Sequence, residues 1–325
     1  EVFLEGLLMR ARKHGVEILS ETRGLKAENI DGRVRVTLAN REGEFTRTAQ
    51  VAVAADGVNS QIVQNLGFNQ TRRKHIGMFG VASYHMEGVD CPYPDAWTTF
   101  VGKGHASGGR GQLYLCRKPY RGTITPAVYE LTCGVPISPG GTLPGDEIDF
   151  FTKQGRFASW FSRMRILEKR GAILNFYTPL LNPVEGNIVV VGDAAAFIET
   201  YVQGAVMYGY QAGKSIARHL ATGTGLDDYA ASWRESFEYN DPETIKRATQ
   251  VFGLHVMSDD DLDYLFGLTE ADDIPGYLNE FSDPGTIMNT LMKHFDQIAA
   301  ERPALAGTLA NLGAVSVEDA LQVNT

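Results

Sequence analysis

A glycine and an aspartate follow a short apolar run in the second half of the chain. The run, residues 188–191, consists of β-branched residues and predicts a buried strand of a parallel sheet. Gly192-Asp193 ends it, three alanines follow, and residues 204–220 have the composition of a helix. Small side chains let a ligand approach the backbone, and a helix N-terminus favours electron-rich oxygens. Asp193 would repel a phosphate, so we expect it to accept hydrogen bonds from ligand hydroxyls, such as those of a ribose or ribityl chain.

A second small turn occurs much earlier in the chain. Residues 51–54 predict another strand, and Asp56-Gly57 follows it. Gly57 permits a turn that a side chain would block, and Asn59 and Ser60 offer polar contacts and a helix cap. Taken singly, each motif has a simpler interpretation: Asp56-Gly57 as a surface turn, and Asp193 as an N-cap of the following helix.

The two motifs, in this order, resemble the Asp-Gly motif and the second FAD fingerprint of flavoproteins. The family is that of p-hydroxybenzoate hydroxylase, geranylgeranyl reductase and FixC-like proteins. The resemblance implies that Asp193 contacts the ribityl chain, that Gln203-Gly204 approaches the flavin ring, and that Asp56-Gly57 lies near the pyrophosphate. The cofactor-binding residues predicted in this way are Asp56, Gly57, Ser60, Gly192, Asp193, Ala194, Ala195, Gln203 and Gly204.

The sequence also departs from the family pattern. Thr200 stands where the family often has proline, Gln203-Gly204-Ala205 where it has Gly-x-Gly, and Val63 where it often has arginine. The substrate motif Tyr-x-Trp-x-Phe-Pro has no match in residues 97–136. The first fingerprint, Gly-x-Gly-x-x-Gly between a strand and a helix, is not found either. We therefore expect either a fragment or a first unit carried on another chain.

The predicted fold class is α/β. We expect a Rossmann-like FAD-binding domain of the GR2 type, N-terminally incomplete, with an inserted antiparallel β-sheet substrate domain and a helical C-terminal region. The predicted boundaries are residues 1–75 and 182–240 for the discontinuous FAD-binding domain, 76–181 for the substrate domain, and 241–325 for the helical cap.

Several local patterns set expectations for single elements. Residues 1–13 predict a helix, residues 16–19 a short strand, and Asp31-Gly32 the turn of a hairpin. Residues 146–167 predict a helix whose aromatic stripe belongs to the core or, as the alternative, lines a hydrophobic substrate tunnel. The acidic run from Ser258 lacks the ligand alternation of an EF-hand loop and predicts a helix start.

Two polar segments have a structural and a functional interpretation. The basic cluster at residues 72–75 is typical of a solvated turn, with a contact to a nicotinamide phosphate as the alternative. The glycine-rich segment 102–111 is typical of a solvent loop. Its alternative is a lid near the flavin, with His105 and Arg110 as polar groups.

The amino-acid composition limits the class of protein and the cellular compartment that we expect. The 325 residues are 43% hydrophobic and 21% charged, with a net charge of −9 that argues against nucleic-acid binding. Cys91, Cys116 and Cys133 form no C-x-x-C pair, so we expect reduced, partly buried thiols and no metal site. No apolar run is long enough for a membrane span, and we expect a cytoplasmic protein.

Three functions remain open at this point. The first is a flavin-dependent reductase or dehydrogenase that moves hydride or electrons to or from a hydrophobic organic substrate or a quinone. The second is a monooxygenase using NAD(P)H and O2, which Val63 disfavours. The third is a non-catalytic electron-transfer or interaction subunit. FAD is the expected cofactor and NAD(P)H a candidate donor; a homodimer, an electron-transfer partner and a peripheral membrane or quinone contact are candidate partners. No catalytic acid or base is identified.

Overall fold

The structure of the protein is a computed structural model. It describes residues 2–70, 72, 74–100, 102–105, 112–120, 123–137, 139–196, 201–236, 257–270, 272 and 284–314.

The amino-terminal part is a helix followed by a three-stranded meander. Helix α1 spans Val2–Lys13, and the antiparallel strands β1 (Arg23–Ile30), β2 (Arg33–Asn40) and β3 (Gly43–Ala49) follow. The hairpin turn at Asp31-Gly32 is confirmed, with φ of 48° and 73° as a two-residue hairpin turn requires. The strand predicted at residues 16–19 is wrong: Val16 and Leu19 are exposed, and no strand is assigned there. A short apolar run becomes a strand only where another strand can pair with it.

Two short parallel strands are paired in the second sheet. Strand β4 (Ala52–Ala54) pairs with β11 (Ile188–Val190), whose other neighbour is the antiparallel β10 (Val184–Glu185). All three residues of β11 are fully buried. This confirms the prediction of a buried parallel strand before Gly192.

The intervening chain forms a five-stranded antiparallel sheet. Its strands are β5 (Lys74–Glu87), β6 (Thr98–Phe100), β7 (Gln112–Tyr120), β8 (Thr123–Pro136) and β9 (Arg165–Tyr177), in the order β6-β7-β8-β5-β9. One face packs on helix α3 (Pro144–Lys153) through side chains such as Phe100 and Phe151, which lie 4.7 Å apart between ring centroids. The aromatic residues of this segment therefore belong to a core, as the first of the two interpretations predicted.

The single helix predicted over residues 146–167 is wrong. Helix α3 ends at Lys153, a short 3-10 turn spans Ala158–Phe161, and β9 begins at Arg165. The break is at Gly155, where a Cβ would lie only 2.7 Å from the carbonyl oxygen of Phe151. The chain can fold back there because the residue has no side chain.

The helices of the second half pack in two separate places. Helices α4 (Tyr201–Thr222) and α5 (Leu226–Ser236) share a hydrophobic cluster with β4 and β11. A third cluster joins α6 (Asp259–Thr269), α7 (Pro284–Met292), α8 (Phe295–Glu301) and α9 (Pro303–Gly313). The buried residues thus fall into three clusters, and the exact domain boundaries stay a prediction. Within the described ranges, no helix is long and apolar enough to cross a membrane.

The carboxylates at the start of α6 confirm the predicted helix start. The Ser258 hydroxyl accepts a hydrogen bond from the Asp261 amide and caps the helix. Asp259 accepts a hydrogen bond from the amide of Gly104 at 2.8 Å, so the start of this helix contacts the segment between β6 and β7. Among the described residues, no cluster of three His, Cys, Asp or Glu side chains is arranged to hold a metal.

Candidate cofactor site

The two glycine turns lie at the same edge of one sheet. Strands β4 and β11 are parallel and in step, with Val190 opposite Ala54, and the amide of Val191 donates to the carbonyl oxygen of Ala54 at 3.0 Å. Both strands end at this edge, and Gly57 and Gly192 follow three and two residues after the strand ends. The carboxyl edge of such a sheet is where α/β proteins bind ligands.

Both glycines adopt a backbone conformation that other residues avoid. The φ angle is 84° at Gly57 and 61° at Gly192. A Cβ on Gly57 would meet no atom within 4 Å, so the space in front of this turn is open. At Gly192 a Cβ would lie 3.6 Å from the Cβ of Ala205, in the first turn of α4. The two turns therefore form a backbone-lined cradle at this edge, with open space at Gly57 for part of a cofactor such as FAD.

The Gly-Asp turn is a short, internally bonded 3-10 turn. The amides of Ala195 and Ala196 donate to the carbonyl oxygen of Gly192 at 2.9 and 3.0 Å, and the amide of Leu180 donates to Ala195 at 2.9 Å. The side chains of Ala194 and Ala195 are buried, whereas Asp193 is half-buried. A half-buried carboxylate at this position is an acceptor for ligand hydroxyls.

The Asp-Gly turn leads into helix α2 (Gln61–Asn65). The Ser60 hydroxyl is buried and accepts a hydrogen bond from the amide of Val63 at 2.9 Å, which confirms the predicted cap. Asn59 donates to the carbonyl oxygen of Ile173 at 2.7 Å and thereby holds strand β9. Asp56 is exposed at the edge. The predicted contacts of Asp56 and Gly57 with the cofactor stay predictions.

The start of helix α4 carries the last two predicted residues. Gly204 is buried and Gln203 is exposed. Ala205, the next residue, faces Gly192, so the helix packs directly behind the Gly-Asp turn. Thr200 lies outside the described residues.

Arg72 is the residue of this region that sequence reasoning missed. The basic cluster predicts a solvated turn, and for Arg72 this is wrong: its side chain is part-buried and donates to the carbonyl oxygens of Ala194 and Ala195 at 3.3 and 3.1 Å. It also donates to Thr178 at 2.8 Å. Nothing in the sequence distinguishes Arg72 from its basic neighbour, because the three backbone carbonyl oxygens that it contacts lie more than a hundred residues away.

Burial lowers the pKa of Arg72 to about 10. No carboxylate among the described residues lies within ion-pair distance of its guanidinium. At neutral pH the group is still charged, so this side of the Gly-Asp turn carries a fixed positive charge.

The segment considered as a lid has a different role where it is described. The His105 ring stacks on Phe157 with 5.7 Å between centroids and packs against Phe100 and Phe151. Burial lowers the pKa of His105. His105 therefore belongs to the aromatic core of the five-stranded sheet, and Arg110 lies outside the described residues.

Two shallow clefts lie at the opposite end of the same strands. One, of about 540 Å³, is lined by residues including Asn182, His219 and Arg234, and the other by residues including Gln50 and Asn187. Neither includes a residue of the two motifs. We favour the carboxyl edge as the site, because ligands of open α/β sheets bind at the carboxyl ends of the strands.

Comparisons with known proteins agree with this geometry. A family model described as an FAD binding domain matches residues 3–128. The digeranylgeranylglycerophospholipid reductase of Methanospirillum hungatei is 27% identical over 98% of this chain and 75% of its own length. A geranylgeranyl bacteriochlorophyll reductase-like protein from Thermoplasma acidophilum superposes with a TM-score of 0.63 at 17% identity, covering 95% of this chain and 74% of that one. The flavin-dependent halogenase CmlS gives 0.59 at 14% identity, with 92% and 59% covered.

The fold, the paired turns and these relatives agree on one class of protein. The predicted fold class and the predicted FAD cofactor are thereby confirmed, whereas the roles of single residues stay predictions. Residues 3–128 match an FAD binding domain, and over almost its whole length the chain is similar to digeranylgeranylglycerophospholipid reductases and to a geranylgeranyl bacteriochlorophyll reductase-like structure.

Proposed function

We propose that this protein is a flavin-dependent reductase or dehydrogenase that acts on a hydrophobic organic substrate or a quinone. When bound, FAD supplies the redox chemistry, accepting electrons from a donor and passing them on. The chain itself binds the cofactor, orients it and presents the substrate. The observation that carries the proposal is the pair of glycine turns, at Gly57 and Gly192, on adjacent parallel strands that end at one edge.

The proposed cofactor contacts follow from the turns. Asp193 accepts hydrogen bonds from the ribityl hydroxyls, and the backbone at Gly192, Ala194 and Ala195 approaches the chain that links pyrophosphate and ring. Asp56 and Gly57 border the pyrophosphate, and Gln203 and Gly204 face the ring. Ser60 acts indirectly, because its hydroxyl caps α2.

The first turns of α4 support a hydrophobic substrate. Val202, Val206 and Tyr210 recur at helical spacing and are 69%, 48% and 69% exposed. This apolar stripe begins next to the Gly-Asp turn. The reductases among the relatives carry names that specify geranylgeranyl lipids, which agrees with an apolar substrate. Because the Tyr-x-Trp-x-Phe-Pro motif has no match, the proposal goes no further than an apolar molecule.

A monooxygenase is the second candidate, because hydroxylases and a halogenase share the fold. Both candidates can use NAD(P)H as electron donor, and the two differ in what receives the electrons. Oxygen consumption that is coupled to NAD(P)H oxidation and rises with substrate would support the monooxygenase. NAD(P)H oxidation that proceeds without oxygen when a quinone is supplied would support the reductase.

The proposed location in the cell follows from the proposed reductase activity. A reductase of apolar substrates works in the cytoplasm or at a membrane surface, and we propose the cytoplasm with a peripheral membrane or quinone contact. Light scattering of the purified protein would detect a homodimer.

The first experiment is the visible spectrum of the purified protein. Flavin bands are expected, and their absence would refute the proposal.

The second experiment replaces Asp193. We expect Asp193→Ala to weaken FAD binding by roughly 1.5–3 kcal/mol, the value of a hydrogen bond to a charged group. Asp193→Asn keeps the shape of the side chain, so its FAD affinity should lie between those of the wild type and Asp193→Ala. The matched control is Asp227→Ala, which removes an exposed carboxylate at the start of α5. Unchanged FAD affinity in Asp193→Ala would contradict the ribityl assignment.

A further inference from the structure

One arginine joins three segments of the chain behind the Gly-Asp turn. Arg72 Nε donates to the carbonyl oxygen of Thr178 at 2.8 Å, just after β9. Its Nη1 donates to Ala194 at 3.3 Å and its Nη2 to Ala195 at 3.1 Å, both within the turn. Nη1 also donates to the side-chain oxygen of Asn69 at 3.2 Å. Four of the five N–H groups of a guanidinium are thus used by this side chain.

The arrangement depends on the shape of the guanidinium. Its donors point in fixed directions in one plane, so they reach the turn and the end of β9 together. The plane also lies over the Tyr177 ring, with 5.1 Å from Cζ to the ring centroid. A lysine ammonium carries the same charge but has donors at one point, and it cannot reach these carbonyl oxygens at once.

The contacts also support the turn from outside, together with the Leu180 amide, which donates to Ala195. The two alanine carbonyl oxygens belong to the segment that follows Asp193, so their position sets the direction of the Asp193 backbone. The partners of Arg72 are three backbone carbonyls and one amide oxygen, all neutral. In the described part of the chain, its charge is therefore not neutralised by a carboxylate within 4.0 Å.

We propose that Arg72 is a positioning residue for the flavin. Its fork, the planar set of N–H donors of the guanidinium, holds residues 192–196 in the shape that binds the cofactor, and its charge raises the reduction potential of the cofactor. This inference rests on the proposed function. A fixed positive charge favours the state of a neighbouring redox group that has gained negative charge, and it does so strongly where water is excluded. Arg72 does not itself need to touch the cofactor to act in this way.

The test separates the fork from the charge. Arg72→Lys keeps the charge and loses the fork, and Arg72→Met loses both. Arg47→Met, which removes an exposed arginine on β3, is the matched control. For each variant of the complete flavoprotein, the FAD dissociation constant and the flavin reduction potential are measured.

We expect both Arg72 variants to bind FAD at least about tenfold more weakly, the effect of losing one charged hydrogen bond. Only Arg72→Met should show a more negative potential; Arg72→Lys should stay close to the wild type, and Arg47→Met should match it in both properties. A purely structural arginine would lower affinity and leave the potential of the bound flavin unchanged, and that result would overturn the proposal.

Two further outcomes are decisive. If Arg72→Met does not accumulate as folded protein, Arg72→Lys alone decides, because unchanged FAD affinity in that variant would show that the fork is not needed. Wild-type affinity and potential in every Arg72 variant, combined with weakened FAD binding in Asp193→Ala, would refute this inference and leave the proposed function intact. A wild-type protein without flavin bands would refute both.

Discussion

Strands β5 and β8 of the five-stranded sheet each span fourteen residues, whereas β4 and β11, which carry the two glycine turns, span three. The long strands pair along most of their length and cover a core that includes Phe100, Phe151 and Phe161. The short strands make few ladder hydrogen bonds. The Gly-Asp turn after β11 is held by side chains from elsewhere: Arg72 donates to it directly, and the Trp233 indole donates at 2.6 Å to the carbonyl oxygen of Leu180, whose amide donates to Ala195.

The difference shows two ways to hold a backbone in place. A long ladder with its own core fixes its shape locally, so a change in it is expected to alter stability first. A short strand end takes its shape from distant partners, so a change in a partner is expected to alter ligand binding first. This division between changes that affect stability and changes that affect ligand binding can be tested by substitution.

The largest effect is expected from Phe151→Ala. Phe151 is fully buried in the aromatic core, and truncation of such a residue costs about 3–5 kcal/mol. Urea denaturation should show this loss, whereas FAD affinity of the folded variant should stay within about twofold of wild type, as for surface substitutions. Phe266→Ala, at an exposed phenylalanine of α6, is the control. A parallel loss of FAD affinity in folded Phe151→Ala would contradict the division.

The next largest effect is expected when a glycine with positive φ is replaced by alanine. Gly192→Ala and Gly140→Ala each place a side chain at positive φ, 61° and 73°, and neither new Cβ meets another atom closer than 3.6 Å. Each should cost about 1–2 kcal/mol of stability from backbone strain. Only Gly192→Ala should also weaken FAD binding, measured by fluorescence titration. Equal FAD affinity in the two variants would place the cofactor elsewhere.

A smaller effect is expected from two helix caps. Ser60 and Ser258 each accept a hydrogen bond from an amide three residues ahead. Replacement of either by alanine should cost about 1 kcal/mol in thermal unfolding. We expect Ser60→Ala, next to the Asp-Gly turn, to release FAD more readily and Ser258→Ala to retain it. If both variants hold FAD equally, the Asp-Gly turn does not depend on its cap.

The last prediction is a pH dependence in the sheet core, which appears only in alkaline solution. Burial raises the pKa of the Cys116 thiol to about 11 and that of Cys133 to about 12, from 9.0. In the unfolded chain these thiols ionise near pH 9, so their contribution to stability is present below pH 9 and is lost as pH rises towards 11 and 12. The free energy of unfolding should fall over this range, and less so in Cys133→Ala.

Thiol labelling gives an independent reading of the same property. Iodoacetamide at pH 8.5 should modify the partly exposed Cys91 and spare Cys116 and Cys133 in the folded protein. Rapid labelling of Cys133 would show that the sheet core opens on the timescale of the experiment.

The sequence predicted best where local chemistry decides the structure. The Asp31-Gly32 hairpin, the cap at Ser258 and the buried run before Gly192 depend on residues that are neighbours in the chain, and all three predictions are confirmed. The order of the two glycine motifs was sufficient to predict FAD.

Features that depend on distant partners were predicted poorly. Residues 16–19 have the composition of a strand but lack a neighbouring strand, and the helix over residues 146–167 fails at Gly155, where the chain folds back on Phe151. Arg72 was assigned to solvent because charged residues are usually exposed. Its partners, the carbonyl oxygens of Ala194 and Ala195, come from a part of the chain that no local pattern connects to it.

The register of β5 and β9 has one further consequence. Lys74, where the chain enters the five-stranded sheet, lies opposite Tyr177, where it leaves. An excursion of about a hundred residues thus begins and ends at neighbouring points, like an inserted module with adjacent ends. Insertions, deletions or wholesale exchange within that module need not move the flanking turns. A lineage could therefore change what the oxidoreductase acts upon while keeping the same cradle for its cofactor.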